Sequence, residues 1–282
     1  MTKDTSKKKH SALKAIPIKT APELTGKVRY WNLTSMGKPN RSGITSMSDQ
    51  HIALIIYHRG AELSSPIYLG IQPKAVAWRP SQQFKGLGVK VPTVKLKDNS
   101  IVDIFGVDLT PGVLYSLFKR PLDKFSGKVV SLEKVIGKQA EVFRPVMGPM
   151  AHEKRAEILD GIFSELLKTR LETDPKIQLA LDEIHSSSGC ITLLELASRT
   201  GCSPRWLRDL FKKWIGAPPH LFCNNIKIIC AMKDLYMGKT PAETALNYGY
   251  TDQAHFIKDF KLHTGMPPAR MCAHFHSNVK DA

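Results

Sequence analysis

Short apolar runs separated by turn residues fill the chain between about residues 26 and 110. Gly, Pro, Asn and Ser bound these runs, which follow one another at short intervals: HIALIIYHRG (51–60), SPIYLGIQ (65–72), AVAWRP (75–80), GLGVKVP (86–92) and SIVDIFGVDL (100–109). This spacing predicts the strands of a sandwich or barrel, not alternating strands and helices. No GxGxxG or GxxxxGK(S/T) motif follows a strand, so the sequence indicates no phosphate-binding turn.

A helical period replaces the strand pattern after residue 110. Thr110 as N-cap and Pro111 at the first helical position predict the start of a helix. Four apolar residues then share one face of that helix: Val113, Leu114, Leu117 and Phe118. The range 137–172 also has a helical pattern, with one apolar stripe: Ile158, Ile162, Phe163, Leu166 and Leu167. The stripe either packs on the strands or pairs with its copy in a homodimer, and both interpretations stay open.

The range 191–216, ITLLELASRTGCSPRWLRDLFKKWIG, contains two short helices joined by a turn. Gly201 supplies the turn, and Ser203 followed by Pro204 begins the second helix. Its inward positions, spaced i, i+3, i+4 and i+7, are apolar: Leu207, Leu210, Phe211 and Trp214. Its opposite face is mostly basic: Arg205, Arg208, Asp209 and Lys212. This arrangement predicts a helix-turn-helix.

The range 241–266, PAETALNYGYTDQAHFIKDFKLHTGM, follows the same outline. Three residues are expected on the inward face of its first helix: Ala242, Ala245 and Leu246. Gly249 makes the turn, about 48 residues after Gly201, and Thr251 is the expected cap. The following helix presents four polar side chains: Gln253, His255, Lys258 and Lys261. The two ranges therefore indicate an internal duplication of one DNA-reading unit.

A single helix is predicted between the two units, over residues 220–238 (HLFCNNIKIICAMKDLYMG). Its apolar surface would support both units, and a rigid connector would fix the distance between their second helices. Two such helices about one DNA turn apart enter successive major grooves on one side of the duplex.

The 282 residues, 42% of them hydrophobic, are enough for two packed domains. No stretch reaches the roughly 18 apolar residues of a membrane span. The lysine-rich start is neither a secretory signal nor a membrane anchor, so we expect a cytoplasmic protein. The five cysteines include no CxxC pair, and we therefore expect no disulfide framework, no metal site and no cofactor.

Charge also points towards a polyanionic partner, because the net charge is +16. Its distribution is uneven. Residues 173–282 carry 13 basic and 10 acidic residues, whereas residues 1–172 carry 28 and 15. The excess positive charge of residues 1–172 either provides solubility and a basic arm or binds an anionic partner, and the sequence leaves both alternatives open.

Residues 178–275 resemble the DNA-binding domain of the AraC/XylS family of bacterial transcription regulators. The resemblance rests on LASRTGCSPRWLRDLFKKWIGAPP and ALNYGYTDQAHFIKDFKLHTGMPPARM. Its most specific part is a spaced set in the second unit: Gly249, Tyr250, Asp252, Gln253, Phe256, Phe260, Lys261, Gly265 and Pro267. The first domain looks like the cupin-like sensor half of that family, on its strand density, FGVDLTPGVLYSLF and its length.

The expected architecture therefore has two domains after a flexible basic arm over 1–25. A mostly-β, cupin-like barrel with trailing helices, used for sensing or dimerisation, spans 26–172. An all-α DNA-binding domain with two helix-turn-helix units and a linker helix spans 173–282. The resemblance implies a cytoplasmic transcription regulator, an activator rather than a repressor, that binds double-stranded DNA and RNA polymerase.

The resemblance also implies which residues meet DNA. Arg205, Trp206 and Arg208 match the first recognition helix, and five residues match the second: Gln253, Ala254, His255, Ile257 and Lys258. By their chemistry, arginines suit guanine and Gln253 suits adenine. Four lysines suit phosphates: Lys212, Lys213, Lys258 and Lys261. For each residue, a solvated helix face is the simpler alternative, and for Trp206 a partly buried position.

Two carboxylates depart from the family pattern. Asp209 lies on the first recognition helix, and Asp259 has a similar position on the second. A carboxylate there accepts from cytosine, repels phosphate or pairs with a neighbouring lysine. We favour the pair, which for Asp209 means Lys212.

Catalysis is the main rival function, and we expect none. Some DNA-repair alkyltransferases carry the same DNA-binding module after a cysteine-rich metal domain, but residues 1–189 contain no cysteine, and no GxSxG elbow occurs. A second alternative keeps DNA binding but gives the first domain a protein-interaction or dimerisation role without a small ligand. If there is an effector, the basic first domain favours a small anion, with Arg59, Arg79 and Lys90 as candidates.

Overall fold

The computed structural model describes residues 16–35, 52–59, 68–71, 102–125, 129–170, 174–264 and 266–279. Six strands lie within these ranges: β1 (Ile16–Ile18), β2 (Val28–Ser35), β3 (Ile52–Arg59), β4 (Tyr68–Ile71), β5 (Val102–Leu109) and β6 (Val129–Ser131). They form one sheet in the order β1-β2-β5-β3-β4-β6, and neighbouring strands are antiparallel. In the part of the chain described, no helix is both long and apolar enough to cross a bilayer.

The strand predictions over 51–60, 65–72 and 100–109 are confirmed by β3, β4 and β5. The runs at 75–80 and 86–92 lie outside the described residues. The cupin-like barrel is not confirmed, because the described strands form an open sheet with β1 and β6 at its edges. Alternating apolar residues predict strands, but closure depends on strand number and stagger, which the pattern does not contain.

Three α-helices follow the main strands: α1 (Val113–Phe118), α2 (Leu132–Ile136) and α3 (His152–Arg170). Helix α1 begins later than predicted, with Gly112 at its N-cap in the left-handed region (φ 90°). The reason lies at Thr110, whose backbone N–H donates to the carbonyl oxygen of Lys27 and whose hydroxyl donates to that of Gly26. Thr110 thus still pairs with the chain before β2 and does not cap the helix.

One face of the sheet and helices α1 and α3 form the core of the amino-terminal domain. Val28 and Tyr30 on β2 lie directly opposite Leu109 and Val107 on β5, and all four side chains are buried. The predicted stripe of α3 enters this core through Phe163, Leu166 and Leu167, while Ile158 and Ile162 pack against it half-buried. The structure therefore supports packing within the domain as the role of the stripe.

The described part of the carboxy-terminal region contains seven helices, which include the two predicted units and their linker: α4 (Pro175–Ser186), α5 (Leu193–Thr200), α6 (Pro204–Ile215), α7 (Pro219–Tyr236), α8 (Pro241–Asn247), α9 (Gln253–Thr264) and α10 (Pro268–Val279). Helix α7 is the predicted connector. Its 18 residues span about 27 Å at 1.5 Å per residue.

The two halves of α7 belong to different hydrophobic clusters. Phe222 and Ile226 share a cluster with Phe211 of α6, and the Phe211 and Phe222 ring centroids are 5.9 Å apart. Met232 and Leu235 share a second cluster with the α9 phenylalanines. One helix thus supports both units, as the sequence predicts.

Candidate nucleic-acid interface

Local signals in the sequence determine where helix α6 begins. Gly201 ends α5 in the left-handed region (φ 63°), a conformation that favours glycine. The Ser203 hydroxyl then accepts a hydrogen bond from the Trp206 N–H at 3.2 Å, with Pro204 in the first turn. The apolar positions Leu207, Leu210, Phe211 and Trp214 are buried as predicted. The opposite side of α6 is left in solvent.

Helix α9 begins in a related way, but with a different cap. Gly249 is in the left-handed region (φ 68°) and makes the expected turn. The Asp252 carboxylate accepts the His255 N–H at 2.7 Å, so Asp252 is the cap and the prediction of Thr251 is wrong. Both residue types are good caps, and Asp252 is the one placed three residues before the N–H that needs an acceptor. Phe256 and Phe260 are fully buried beneath the exposed face.

A capping box begins the first helix of each unit and strengthens the case for duplication. Thr192 and Glu195 cap α5, and Thr240 and Glu243, each 48 residues later, cap α8 with the same hydrogen bonds. These bonds lower the pKa of both glutamates. The repeated TxxE pattern is visible in the sequence, although it is not among the signals from which the duplication was predicted.

The inward face predicted for α8 is only partly correct. Ala245 is buried, but Ala242 is exposed and Leu246 is 79% exposed. Thr244 and Tyr248 fill the inner positions with Ala245. Helix α8 has only seven residues, so one contact stripe i, i+1, i+4 accounts for its packing and Leu246 falls outside it.

The residues predicted to meet DNA lie on α6 and α9, which we call the reading helices. Ten of the eleven side chains are exposed: Arg205, Trp206, Arg208, Lys212, Lys213, Gln253, Ala254, His255, Lys258 and Lys261. Ile257 is half-buried. Trp206 is 41% exposed, which lies between a fully accessible DNA contact and the partly buried position given as its alternative. Each reading helix therefore presents one accessible face, which is mainly cationic on α6 and polar with two lysines on α9.

Most acidic side chains of this region accept hydrogen bonds or ion pairs from other residues, and most lie outside the reading helices. Of the nine Asp and Glu residues in the described range 174–264, eight accept a hydrogen bond or ion pair: Asp174, Asp182, Glu183, Glu195, Asp234, Glu243, Asp252 and Asp259. The ninth, Asp209, is exposed, and the ion pairs among the described residues do not include one with Lys212. The favoured Asp209–Lys212 pair is therefore absent from this part of the chain.

Asp259 instead holds the second reading helix in place. Its carboxylate accepts the Tyr250 hydroxyl at 2.7 Å and contacts His263 Nδ1 at 3.2 Å. Burial alone would raise the pKa of Asp259, but the hydrogen bonds from His263 and Tyr250 outweigh it and bring that pKa below its ordinary value. A carboxylate so engaged is part of the scaffold. Its partners are nine residues before it and four after it. The sequence analysis instead predicted a pair with a neighbouring lysine.

Residues 196–273 match a family model described as "Helix-turn-helix domain", of the AraC type. The match covers about a quarter of the chain and includes both reading helices with every predicted DNA-contacting residue. These residues therefore form a DNA-binding helix-turn-helix domain of the AraC type, the kind found in transcription regulators. No curated protein matches the chain.

Three solved structures illustrate what the chain is similar to. A transcriptional regulator with an AraC-type DNA-binding domain from Chromobacterium violaceum is 22% identical, over 36% of this chain and 92% of that one, with a TM-score of 0.34. ToxT from Vibrio cholerae is 11% identical, over 87% of this chain and 98% of that one, with a TM-score of 0.39. ToxT of strain SCE256 with bound unsaturated fatty acid is 10% identical, over 88% of this chain and 95% of that one, with a TM-score of 0.40. At these scores no residue role is transferred.

The effector candidates remain predictions. Arg79 and Lys90 lie outside the described residues, and Arg59 is described only as backbone, opposite Asp103 in the β3–β5 register. Within the described residues, no group of three or more His, Cys, Asp or Glu side chains is placed to hold a metal ion.

Unsatisfied polar atoms mark one place between β2 and α3. Tyr30 Oη, Asn32 Oδ1 and Asp160 Oδ1 are buried without a hydrogen-bond partner, although Asp160 Oδ2 accepts the Ala21 N–H. Burial, together with the nearby Asp160 charge, raises the pKa of Tyr30. Asn32 and Asp160 offer acceptors and Tyr30 a hydroxyl, so this place suits a group that donates hydrogen bonds.

Proposed function

We propose that this regulator reads specific DNA sequences by placing α6 and α9 in successive major grooves. The observation that carries the proposal is the pair of exposed polar helix faces, each with at least two cationic side chains, built on one connector, α7. Helices of this size fit the major groove, where every base pair displays a distinct pattern of donors and acceptors. The half-sites would be about one DNA turn, roughly 34–36 Å, apart.

Each exposed side chain suits one kind of contact. Arg205 and Arg208 would donate both nitrogens to guanine O6 and N7, and Gln253 would pair with adenine. Lys212, Lys258 and Lys261 would meet phosphates, which position the protein without specifying sequence. Most acidic residues of 174–264 lie on other elements, so the exposed carboxylates at these two helices are those of Asp209 and Asp252.

Control would come from the amino-terminal domain, through a small effector that changes how it holds the DNA-binding domain. The unsatisfied oxygens of Tyr30, Asn32 and Asp160 support a polar ligand, and their chemistry favours a donor-rich group over the anion expected from net charge. Activation through RNA polymerase and a homodimeric state complete the proposal, as the family resemblance implies. In the alternative, the amino-terminal domain binds a protein or only dimerises.

The assignment of base contacts to arginines and phosphate contacts to lysines is tested by comparing Arg208→Ala with Lys261→Ala. Binding is measured on an operator found by genome-wide mapping of bound sites. We expect Arg208→Ala to lose about 1–3 kcal/mol of discrimination at one base pair. Lys261→Ala should weaken all sequences alike and flatten the salt dependence of binding. Lys233→Ala, an exposed lysine on the connector, is the matched control. Equal, sequence-independent losses from both test variants would contradict the assignment.

A further inference from the structure

The end of the first reading helix docks on the amino-terminal domain. The rings of Tyr115 on α1 and Trp214 on α6 lie 4.6 Å apart, tilted by 50°. The Leu122 N–H donates to the carbonyl oxygen of Lys213 at 3.2 Å. Helix α6 is therefore fixed to the other domain by both an aromatic pair and a backbone hydrogen bond.

This contact is buried. Tyr115, Trp214 and Leu122 are 8%, 7% and 0% exposed, and all three belong to one hydrophobic cluster that runs through both domains. Gly112 also lies beside Trp214, since an ideal Cβ there would be at an ordinary van der Waals distance of 3.6 Å from the ring. Burial of this kind is typical of a defined interface, not of a passing surface contact.

The docking separates two neighbouring lysines. Side chains advance about 100° per residue around a helix, so Lys212 lies within about 20° of Arg205, whereas Lys213 lies about 80° away on the flank. The ammonium of Lys213 is 5.2 Å from the centroid of the Tyr115 ring, a cation–π contact with the amino-terminal domain. Lys212 has no such role and stays on the reading face.

We propose that Tyr115 is a positioning residue for DNA binding, which holds α6 in place and keeps Lys213 away from phosphate. Undocking of α1 from α6 would release Lys213 and add one phosphate contact to the first reading helix. The amino-terminal domain thereby sets how many phosphates this helix neutralises. The inference rests on the proposed DNA-reading function and refines the phosphate role that the sequence predicts for Lys213.

The salt dependence of binding counts such contacts directly, since each phosphate neutralised contributes about −0.9 to the slope of log K against log[salt]. The experiment measures this slope with the full chain on its mapped operator, for Lys212→Ala and Lys213→Ala. Each is made in the wild-type and in a Tyr115→Leu background, which keeps apolar volume but removes the ring. Fluorescence anisotropy at several NaCl concentrations gives the slopes.

Lys212→Ala should flatten the slope by about 0.9 in both backgrounds. Lys213→Ala should leave the wild-type slope unchanged and flatten it by about 0.9 only with Tyr115→Leu. An equal effect of both lysines in the wild-type chain overturns the proposal, and this comparison needs no folded Tyr115 variant. Absence of any salt-dependent binding by the wild-type chain would instead refute the DNA-reading function on which the proposal rests.

Discussion

The hydrogen bond from Tyr250 to Asp259 predicts how firmly the second reading helix is held. Tyr250→Phe removes the hydroxyl that donates to the carboxylate at 2.7 Å and leaves the ring packed. Hydrogen bonds to charged groups contribute about 1.5–3 kcal/mol. Asp259 keeps its contact with His263 and its side chain is 18% exposed, so water partly replaces the lost donor. We therefore expect a loss near the lower end, about 1.5 kcal/mol.

Urea unfolding of the full chain, followed by circular dichroism, measures this loss. A double-mutant cycle with Asp259→Asn should give a coupling energy of about 1 kcal/mol, because the two groups contact each other directly. Asp209→Asn is the matched control. It removes an exposed carboxylate from the first reading helix and should change stability by less than about 0.5 kcal/mol.

The stability that Asp259 contributes depends on pH in a definite direction. The pKa of Asp259 is lower in the folded protein than its ordinary value. Its stabilising effect is therefore fully present above the unfolded pKa of about 3.9 and is lost as the pH falls through the folded pKa. The deficit of Tyr250→Phe should shrink below about pH 4. A deficit that persists unchanged at about pH 2, or a coupling near zero, would refute this account of the hydrogen bond.

Two further predictions concern stability. Arg155 is fully buried and donates to three backbone carbonyls of the segment 146–150, so Arg155→Met should cost about 3 kcal/mol or more in thermal unfolding. The exposed Lys154→Met is its control, and similar losses from both would contradict the role of burial. Thr192→Ala and Thr240→Ala each remove a capping-box hydroxyl and should cost about 1 kcal/mol. The matching Thr→Ser variants should retain most of that stability, and equal losses from Ala and Ser would argue against capping.

The carboxy-terminal domain could be predicted from local signals. Caps such as Ser203, turn glycines such as Gly201 and Gly249, and apolar positions at helical spacing all act within a few residues. Such signals determine helix boundaries and inner faces directly. The errors at Thr251 and Leu246 are of the same local kind. In the first, two adjacent residues compete for one cap, and in the second, a helix of seven residues needs only a narrow stripe.

Contacts between distant segments could not be predicted. Nothing near Tyr115 in the sequence indicates that it meets Trp214, 99 residues later. The inward position of Trp214 was predicted correctly, but its partner was not. Helix α1 shows the same limit, because all six of its residues are buried and it packs against both α3 and α6, although the sequence assigned four residues to one face. Whether the sheet closes depends likewise on strands far apart in the chain.

The docking of α6 makes the two reading units unequal in a way that suits regulation. A change in the amino-terminal domain reaches α6 directly through Tyr115 and Trp214, whereas α9 packs on α7, α8 and α10. Breaking the hydrogen bonds from α6 to two bases would cost about 2–6 kcal/mol. That corresponds to a roughly 30-fold to more than 10⁴-fold change in affinity. A shift of α6 on its half of α7 would also change its distance from α9, which packs on the other half. Under the proposed DNA reading, control of the first unit would therefore be sufficient to switch operator binding, and the second unit would not need to move within its own packing.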